Sequence, residues 1–144
     1  MALKRRTARA LTGILADFVA RERISRIASS SADGQPHLVP VCHVVRGGKI
    51  YVASGNDGAK VRNLRANPRV TVTVDLYSDH WGSLKGVMVQ GRAKLIARGP
   101  GFQRARKLLY AKYPQYAREA AISPSDSVVI EITPTHVYAW GFDR

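Results

Sequence analysis

Apolar and polar residues alternate most regularly in the segment Arg69–Tyr77. Val70, Val72 and Val74 fall on one face of an extended chain, and threonine and aspartate fall on the other. A period of two is typical of a β-strand with one face against a core. Strand patterns also occur at Ile24–Ser30, His37–Val45, Lys49–Ala53, Leu84–Ala97, Val128–Ile132 and His136–Trp140.

A helical period appears in three other segments. Thr7–Arg21 is predicted to be an amphipathic helix. Ala59–Ala66 is predicted to be a short helix that ends before Pro68, and Phe102–Tyr113 a basic helix that ends before Pro114. The buried stripe of the first helix is expected to contain Leu11, Ile14, Leu15, Phe18 and Val19.

Tight turns connect several of the strand segments. Asp33-Gly34 and Gly47-Gly48 are hairpin signals, so antiparallel pairing is predicted. Strands and helices do not alternate regularly, which counts against a parallel nucleotide-binding sheet. The predicted fold is therefore mainly β, an antiparallel barrel of about six strands with peripheral helices. Gly91, inside a long strand pattern, predicts a bulge or a close approach of two backbones.

Length and cysteine content narrow the class of protein. A chain of 144 residues suits a single domain, 1–144, in which residues 1–22 form a basic arm (Lys4–Arg6, with Arg9) and a helix. The lone Cys42 cannot form an internal disulfide and fits a reducing compartment. No apolar run approaches the ~18–20 residues that span a bilayer, and the basic N-terminus does not resemble a signal peptide. We therefore expect a cytoplasmic protein without a membrane partner.

The charge is unusual for a chain of this size. Lys and Arg number 23 against 10 Asp and Glu, which gives a net charge of +13. Such a chain attracts polyanions, namely nucleic acid, anionic lipid or phosphorylated small molecules. A basic nucleic-acid-binding protein is one interpretation, although neither a basic–aromatic RNA-binding signature nor a helix-turn-helix pattern is present.

The segment from Ser54 to Leu64 is the strongest candidate for a binding site. Its glycines allow backbone N–H groups to converge, and the predicted helix behind them offers a positive N-terminus. Lys60 and Asn63 share a helix face, and Arg62 lies beside them. This pattern predicts a phosphate-binding loop, although a solvated turn before a basic surface helix has the same composition. The order of residues is not that of a P-loop.

Other candidate residues leave alternatives open. Pro40 predicts a strand edge, whose backbone can face a planar ligand or be merely irregular. His37 and His43 lie on one side of a regular strand, but acids are too sparse for a metal site to be expected. Cys42 and His43 point opposite ways and form no catalytic dyad, so Cys42 is expected to be a small core residue. Two tryptophans can stack on a planar ring or simply pack: Trp81 and Trp140.

Three stretches, in order, resemble the pyridoxamine 5′-phosphate oxidase-like family of flavin-binding split barrels. They are RIASSSADGQPHLVPV at Arg26–Val41, KVRNLRANPRV at Lys60–Val70 and VQGRA at Val89–Ala93. The resemblance extends over Ile24–Trp140. It implies a six-stranded split barrel that forms a homodimer, with two flavin sites in the subunit interface.

The resemblance also implies roles for residues at the phosphate end of the cofactor. Lys60 matches the phosphate-binding lysine of the family, with Arg62 and Asn63 beside it. Ser54 would lie beside the ribityl chain.

At the ring end, the backbone of Val39, Pro40 and Val41 would line the isoalloxazine. Gln90 and Trp140 match positions that reach the cofactor from the other subunit. No catalytic acid or base is implied, because the flavin carries the hydride chemistry.

The implied activity is that of an oxidoreductase that transfers hydride or electrons to a small unsaturated substrate, with Trp81 shaping the substrate mouth. FMN is the family's usual cofactor. The runs Asn67–Trp81 and Lys112–Tyr116 are closer to a subgroup proposed to use coenzyme F420, whose acidic tail would suit the positive charge. The alternatives within this fold are a non-catalytic flavin carrier and a haem carrier.

Overall fold

The computed structural model describes residues 5–143, which form eight strands, four α-helices and one 3₁₀ turn at Trp81–Ser83. Lys4 of the predicted basic arm lies outside the described residues. The strands are β1 (Arg5–Ala8), β2 (Ser25–Ser30), β3 (Pro36–Val41), β4 (Val44–Arg46), β5 (Lys49–Gly55), β6 (Arg69–Leu76), β7 (Lys85–Ile96) and β8 (Ser127–Trp140). The helices are α1 (Gly13–Arg21), α2 (Ala59–Ala66), α3 (Pro100–Lys112) and α4 (Tyr116–Glu119).

The strands form one antiparallel sheet in the order β3-β2-β6-β7-β8-β5-β4, with β1 paired to the end of β8. The two end strands of this path, β3 and β4, are consecutive in the chain and separated only by Cys42 and His43. The sheet must therefore curl until its ends approach each other, although β3 and β4 form no ladder within residues 5–143. This geometry confirms the predicted split barrel with peripheral helices.

The inner face of the sheet forms the main core. The alternation in β6 is confirmed, because Val70, Val72 and Val74 are all buried. Helices α1 and α2 close the barrel with a few apolar side chains each: Leu15, Phe18 and Val19 from α1, Val61 and Leu64 from α2. About 25 cal/mol is gained for each Å² of apolar surface removed from water, so these helices are held mainly by that burial.

A second core lies on the outer face of β5 and the first half of β8. There α3 packs Phe102, Ala105 and Leu109 against Val129. No helix of residues 5–143 covers the outer face of β2, β6, β7 and the last part of β8 in this way. Gln90 and Trp140 are on that uncovered face.

The N-terminal helix is shorter than predicted. It begins at Gly13 rather than Thr7, because Arg5–Ala8 pairs with the end of β8 and is extended. Leu11 is buried as expected, but it precedes the helix. Ile14 is 55% exposed, so its predicted place in the buried stripe was wrong.

Two strand predictions also need correction. His37–Val45 is not one strand, because it breaks at Cys42 and His43 into β3 and β4. The last two strand pieces form one continuous strand, β8, which passes through Pro134. A register shift between Gln90 and Gly91 on the neighbouring strand accommodates Pro134 and confirms the bulge predicted at Gly91.

The joint between β3 and β4 is fixed by buried polar contacts. The Nε2–H group of His43 donates to the carbonyl of Val19 (2.6 Å), and the Tyr113 hydroxyl accepts the His43 N–H (3.1 Å). The same hydroxyl donates to the carbonyl of Arg23 (2.7 Å), and Lys112 Nζ donates to the carbonyl of His43 (2.9 Å). These hydrogen bonds connect the β3–β4 connection to the α1 region and to the end of α3, at the point where the barrel is split.

This joint predicts an acid-sensitive stability. Burial lowers the pKa of His43 from 6.5 to about 4, and a proton on its buried Nδ1 would find no acceptor. The unfolded chain therefore binds more protons than the folded chain between pH 6.5 and about 4, and stability falls as the pH falls through that window. The slope is at most about 1.4 kcal/mol per pH unit. Chemical unfolding from pH 4 to 7 should give a shallower dependence for His43→Gln, which retains an N–H donor for Val19; equal slopes would contradict this account.

Candidate functional site

The loop before α2 presents the start of the helix to solvent. β5 ends at Gly55, and the N–H of Gly58 then donates to the carbonyl of Gly55 (3.3 Å) to close a tight turn. Gly58 is the N-cap of α2 and supplies no side-chain oxygen, and the first turn contains no acid. The first N–H groups of a helix have no partner within it, and they form its positive end. This end of α2 is therefore suited to an anion.

Lys60 is the cation at this helix start. It is half-buried, and desolvation lowers the pKa of its ammonium group. Among the described residues, no carboxylate lies within 4 Å of its Nζ. A partly desolvated cation without a counter-ion is most stable with an anionic ligand beside it.

The neighbouring side chains shape the loop. The guanidinium of Arg62 donates to the carbonyl of Asp57, and the Ser54 hydroxyl donates to the carbonyl of Gly55 (3.2 Å). The amide of Asn63 donates to the hydroxyl of Ser29 on β2 (3.1 Å). Ser54 thus lies at the end of β5, and Lys60, Arg62 and Asn63 lie on α2; we call this group the α2 cradle.

His37 is a further residue of this region that sequence reasoning did not select. It pairs with Ser29 across the β2–β3 hairpin, and Ser29 in turn holds Asn63. The Nδ1 atom of His37 is buried and has no hydrogen-bond partner within residues 5–143. An unsatisfied buried polar atom costs about 1–3 kcal/mol, so a polar ligand group here would be stabilising. The register around the Asp33-Gly34 turn is the sequence signal that would have placed His37 opposite Ser29.

The predicted ring-binding segment lies on the end strand of the sheet. Pro40 was expected at a strand edge, and β3 is indeed the terminal strand of the path. Val39 and Val41 pack against the main core, whereas Pro40 is exposed on the outer face. Any contact of this segment with a flat ligand would therefore use its backbone along the open edge.

Gln90 and Trp140 lie on the outer face of the sheet. Gln90 pairs with Thr71 on β6, and Trp140 pairs with Gly86 on β7. The indole of Trp140 lies directly over Gly86, since a β-carbon on that glycine would overlap the ring. A single chain thus places these two residues on the face opposite to the side chains of Val39 and Val41.

Trp81 is part of the 3₁₀ turn between β6 and β7, and 65% of it is exposed. It is not among the residues that line the outer-face cleft between β2, β6, β7 and β8. The predicted role at a substrate mouth remains a prediction.

A cleft with a volume of about 680 Å³ lies on the outer face of the sheet. Gln90 is the one predicted site residue that lines it. The lining residues come from four strands and the α2–β6 connection: Ala28, Ser29, Ser30, Asn67, Arg69, Val70, Thr71, Gln90, Gly91, Arg92, Thr135 and His136.

The described residues contain neither a cluster of metal-ligating side chains nor a helix that could span a membrane. No group of three or more His, Cys, Asp or Glu side chains there is arranged to hold a metal ion. The helices of residues 5–143 are all too short or too polar to cross a bilayer.

Comparison with known proteins defines the family. The sequence profile of the family described as pyridoxamine 5′-phosphate oxidase matches residues 11–141. The chain therefore belongs to the pyridoxamine 5′-phosphate oxidase family, as the three sequence stretches indicated. No curated protein sequence matches the chain.

Solved structures share the fold. An FAD-binding protein from Mesorhizobium loti is 25% identical, with a TM-score of 0.75 and coverage of 96% of this chain and 98% of that chain. A heme-binding protein from Mycobacterium smegmatis is 19% identical (TM-score 0.76; 90% of this chain, 53% of that one). An F420 reductase is 22% identical (TM-score 0.67; 84% of this chain, 93% of that one). The last two likenesses, below 25% identity, establish the fold alone.

Proposed function

We propose that the protein is a flavin-dependent oxidoreductase that binds FMN, with the phosphate in the α2 cradle. The observation that carries the proposal is the half-buried Lys60, which has no carboxylate partner among the described residues and is the second residue of a helix that lacks a side-chain N-cap. Both features favour a phosphate dianion over a neutral ligand. The 25% identical FAD-binding protein supports a flavin as the ligand class.

Residues of this chain are suited to the phosphate, the ribityl chain and the ring of such a cofactor. Lys60 and the first N–H groups of α2 would hold the phosphate, while Ser54 would lie beside the ribityl chain. His37 offers a buried nitrogen in need of a partner. The open edge of β3 would accept the ring by backbone contacts. The flavin supplies the hydride or electron chemistry when bound, and the protein binds it, orients it and excludes water.

A deazaflavin of the F420 type is the alternative cofactor for the same cradle. The net charge of +13 favours a ligand with an acidic tail. An unsaturated small molecule is the proposed hydride acceptor in either case. The lone Cys42 thiol supports a reducing, cytoplasmic location.

We further propose that two copies of the chain form the complete site. Gln90 and Trp140 lie on the outer face that no helix of the described chain covers, and Leu38 on the same face is 65% exposed. These side chains are directed away from the interior faced by Val39 and Val41, so they reach a cofactor most easily from a second subunit. A homodimer would also bury the exposed apolar residues of this face.

Gly86→Ala tests the place of Trp140 in this site. The new methyl group would overlap the indole and force Trp140 to turn away. We expect a changed tryptophan emission in a Trp81→Phe background and FMN binding weakened by roughly three- to tenfold, the loss of about one stacking contact. Unchanged FMN affinity with a displaced indole would exclude Trp140 from the cofactor site.

The absorption spectrum of the purified protein tests the proposed function. Flavin bands near their usual visible positions, or the single band of a deazaflavin, support the proposal, and reduction by a nicotinamide donor with turnover would then distinguish an enzyme from a carrier. A Soret band after haem addition, with no affinity for FMN, would contradict it. Salt-dependent binding to nucleic acid without any cofactor would do the same.

A further inference from the structure

The cleft on the outer face adjoins the α2 cradle within one chain, because Asn63 of the cradle donates to Ser29, which lines the cleft. The first N–H groups of α2 lie at the opposite end of the helix from Asn67, where the cleft begins. Eight residues of helix separate these two ends by about 12 Å, at a rise of 1.5 Å per residue. A phosphate group bound at the start of α2 therefore lies about one helix length from Asn67.

Two arginines face each other in this cleft. Arg69 on β6 and Arg92 on β7 are directly opposite in the antiparallel register, and both line the cleft. Like charges in this position are destabilising. Neither guanidinium has a hydrogen bond or an ion pair within residues 5–143.

The other end of the same face shows the opposite arrangement. Asp75, six residues further along β6, forms an ion pair with Arg26 on β2 at 3.0 Å. The lining of the cleft, in contrast, contains no Asp or Glu. The sheet therefore supplies a counter-ion for the arginine at one end and leaves two arginines without one at the other.

Neutral donors complete the lining. Asn67 accepts the N–H of Arg69 through its side-chain oxygen (3.2 Å), which leaves its amide nitrogen available as a donor. The Thr135 hydroxyl donates to the carbonyl of Gln90 (3.2 Å) and fixes the rim on the β8 side. Guanidinium groups bind carboxylate and phosphate with paired N–H donors, so this set matches an oxyanion.

We propose that this cleft is a second anion-binding site, in which Arg69 and Arg92 together hold a phosphate or carboxylate group other than the one in the α2 cradle. The bound anion relieves the repulsion between the two guanidinium groups. The group belongs either to an anionic substrate or to the part of a cofactor that extends beyond its first phosphate. The proposal is independent of whether the α2 cradle binds a flavin.

Thermal unfolding in inorganic phosphate provides the test, with sodium chloride at the same ionic strength as the reference. The wild type is compared with Arg92→Gln, Arg69→Gln, Lys60→Gln and, as a control of equal charge change, Arg65→Gln on the exposed side of α2. We expect phosphate to stabilise the wild type and Arg65→Gln equally. In the Lys60→Gln background, where the cradle no longer contributes, adding Arg92→Gln or Arg69→Gln should make the apparent phosphate affinity about tenfold weaker or worse, the loss of a charged hydrogen bond. Lys60→Gln should retain a phosphate response that depends on Arg92.

The stability without phosphate is a second readout. Because one of two repelling charges is removed, Arg92→Gln in chloride should unfold at the same temperature as the wild type or above it. Sedimentation of each variant shows whether its association state is unchanged, so that a lost subunit contact is not mistaken for a lost anion.

Three results would overturn the proposal. If Arg65→Gln loses as much phosphate affinity as Arg92→Gln, phosphate binding depends only on the net charge of the protein. A phosphate response abolished by Lys60→Gln alone would mean that the cradle is the only anion site. No phosphate effect on the wild type would exclude the site altogether.

Flavin titrations then identify the source of the anion. Arg92→Gln should weaken FAD but not FMN if the cleft holds a second cofactor phosphate. If FMN and FAD affinities both stay unchanged while phosphate binding is lost, the cleft serves an anionic substrate.

Discussion

Replacing Lys60 by alanine is expected to weaken FMN binding by about ten- to a hundredfold, which corresponds to ~1.5–3 kcal/mol for a hydrogen bond to a charged group. The ammonium group is half-buried and has no carboxylate partner within residues 5–143, so no protein group compensates for the lost contact with phosphate. Fluorescence titration of FMN into the cofactor-free protein measures the effect. The fold should be retained, because the side chain of Lys60 forms no hydrogen bond or ion pair with the described residues.

Riboflavin is the matched ligand for this experiment, since it lacks the phosphate. Its affinity should be nearly equal in wild type and Lys60→Ala. Arg65→Ala, which removes one exposed positive charge from the same helix, should leave FMN affinity within about twofold, as expected for a screened surface charge. If Lys60→Ala binds FMN as tightly as the wild type, the phosphate is not in the α2 cradle.

Gly91→Ala is expected to destabilise the fold by about 3 kcal/mol, at the upper end of the usual range for overpacking. A β-carbon at this position would overlap the carbonyl oxygen of Thr133 and would lie 3.2 Å from Cα of Pro134. The obstacle is backbone on the neighbouring strand, so no side-chain rotation can relieve it. Urea unfolding gives the change in free energy directly.

Gly101→Ala is a suitable control for this substitution. A β-carbon there would meet only the side chain of Ile96 at ordinary contact distance, and the position is inside α3. Alanine favours a helix over glycine by about 1 kcal/mol, so this variant should be equally stable or more stable. If Gly91→Ala unfolds at the same urea concentration as the wild type, the backbones of β7 and β8 are not in close contact at Gly91.

The sequence predicted the parts of the fold that depend on local pattern. The alternation in Arg69–Tyr77, the turn glycines and the bulge at Gly91 all correspond to observed features, and together they imply an antiparallel barrel. The break at Cys42 and His43 was missed because both flanking segments favour strands, while tertiary contacts to Val19 and Tyr113 fix the interruption.

Strand β1 and the exposure of Ile14 were missed for a related reason. Arg5–Ala8 has no apolar pattern of its own and is extended because β8 offers it a free edge. The exposure of Ile14 depends on which side of α1 faces the barrel. The helical period identifies an apolar stripe but does not show where its buried part ends.

The candidate site also has a part that the sequence reveals and a part that only the folded structure reveals. The α2 cradle is contiguous in sequence, so its glycines and cations were visible before the fold was known. His37 beside Ser29, and Arg69 opposite Arg92, are brought together only by strand register. Register depends on turn geometry and on which face is buried, so a search for motifs along the chain does not reveal these pairs.

Native mass spectrometry of the protein with excess FMN shows whether a phosphorylated flavin binds at an interface between two chains. We expect a species of two 15.8 kDa chains with two FMN molecules, and the loss of FMN from the Lys60→Ala variant under the same conditions. A single chain without FMN, in a preparation that is folded by circular dichroism, would contradict this expectation.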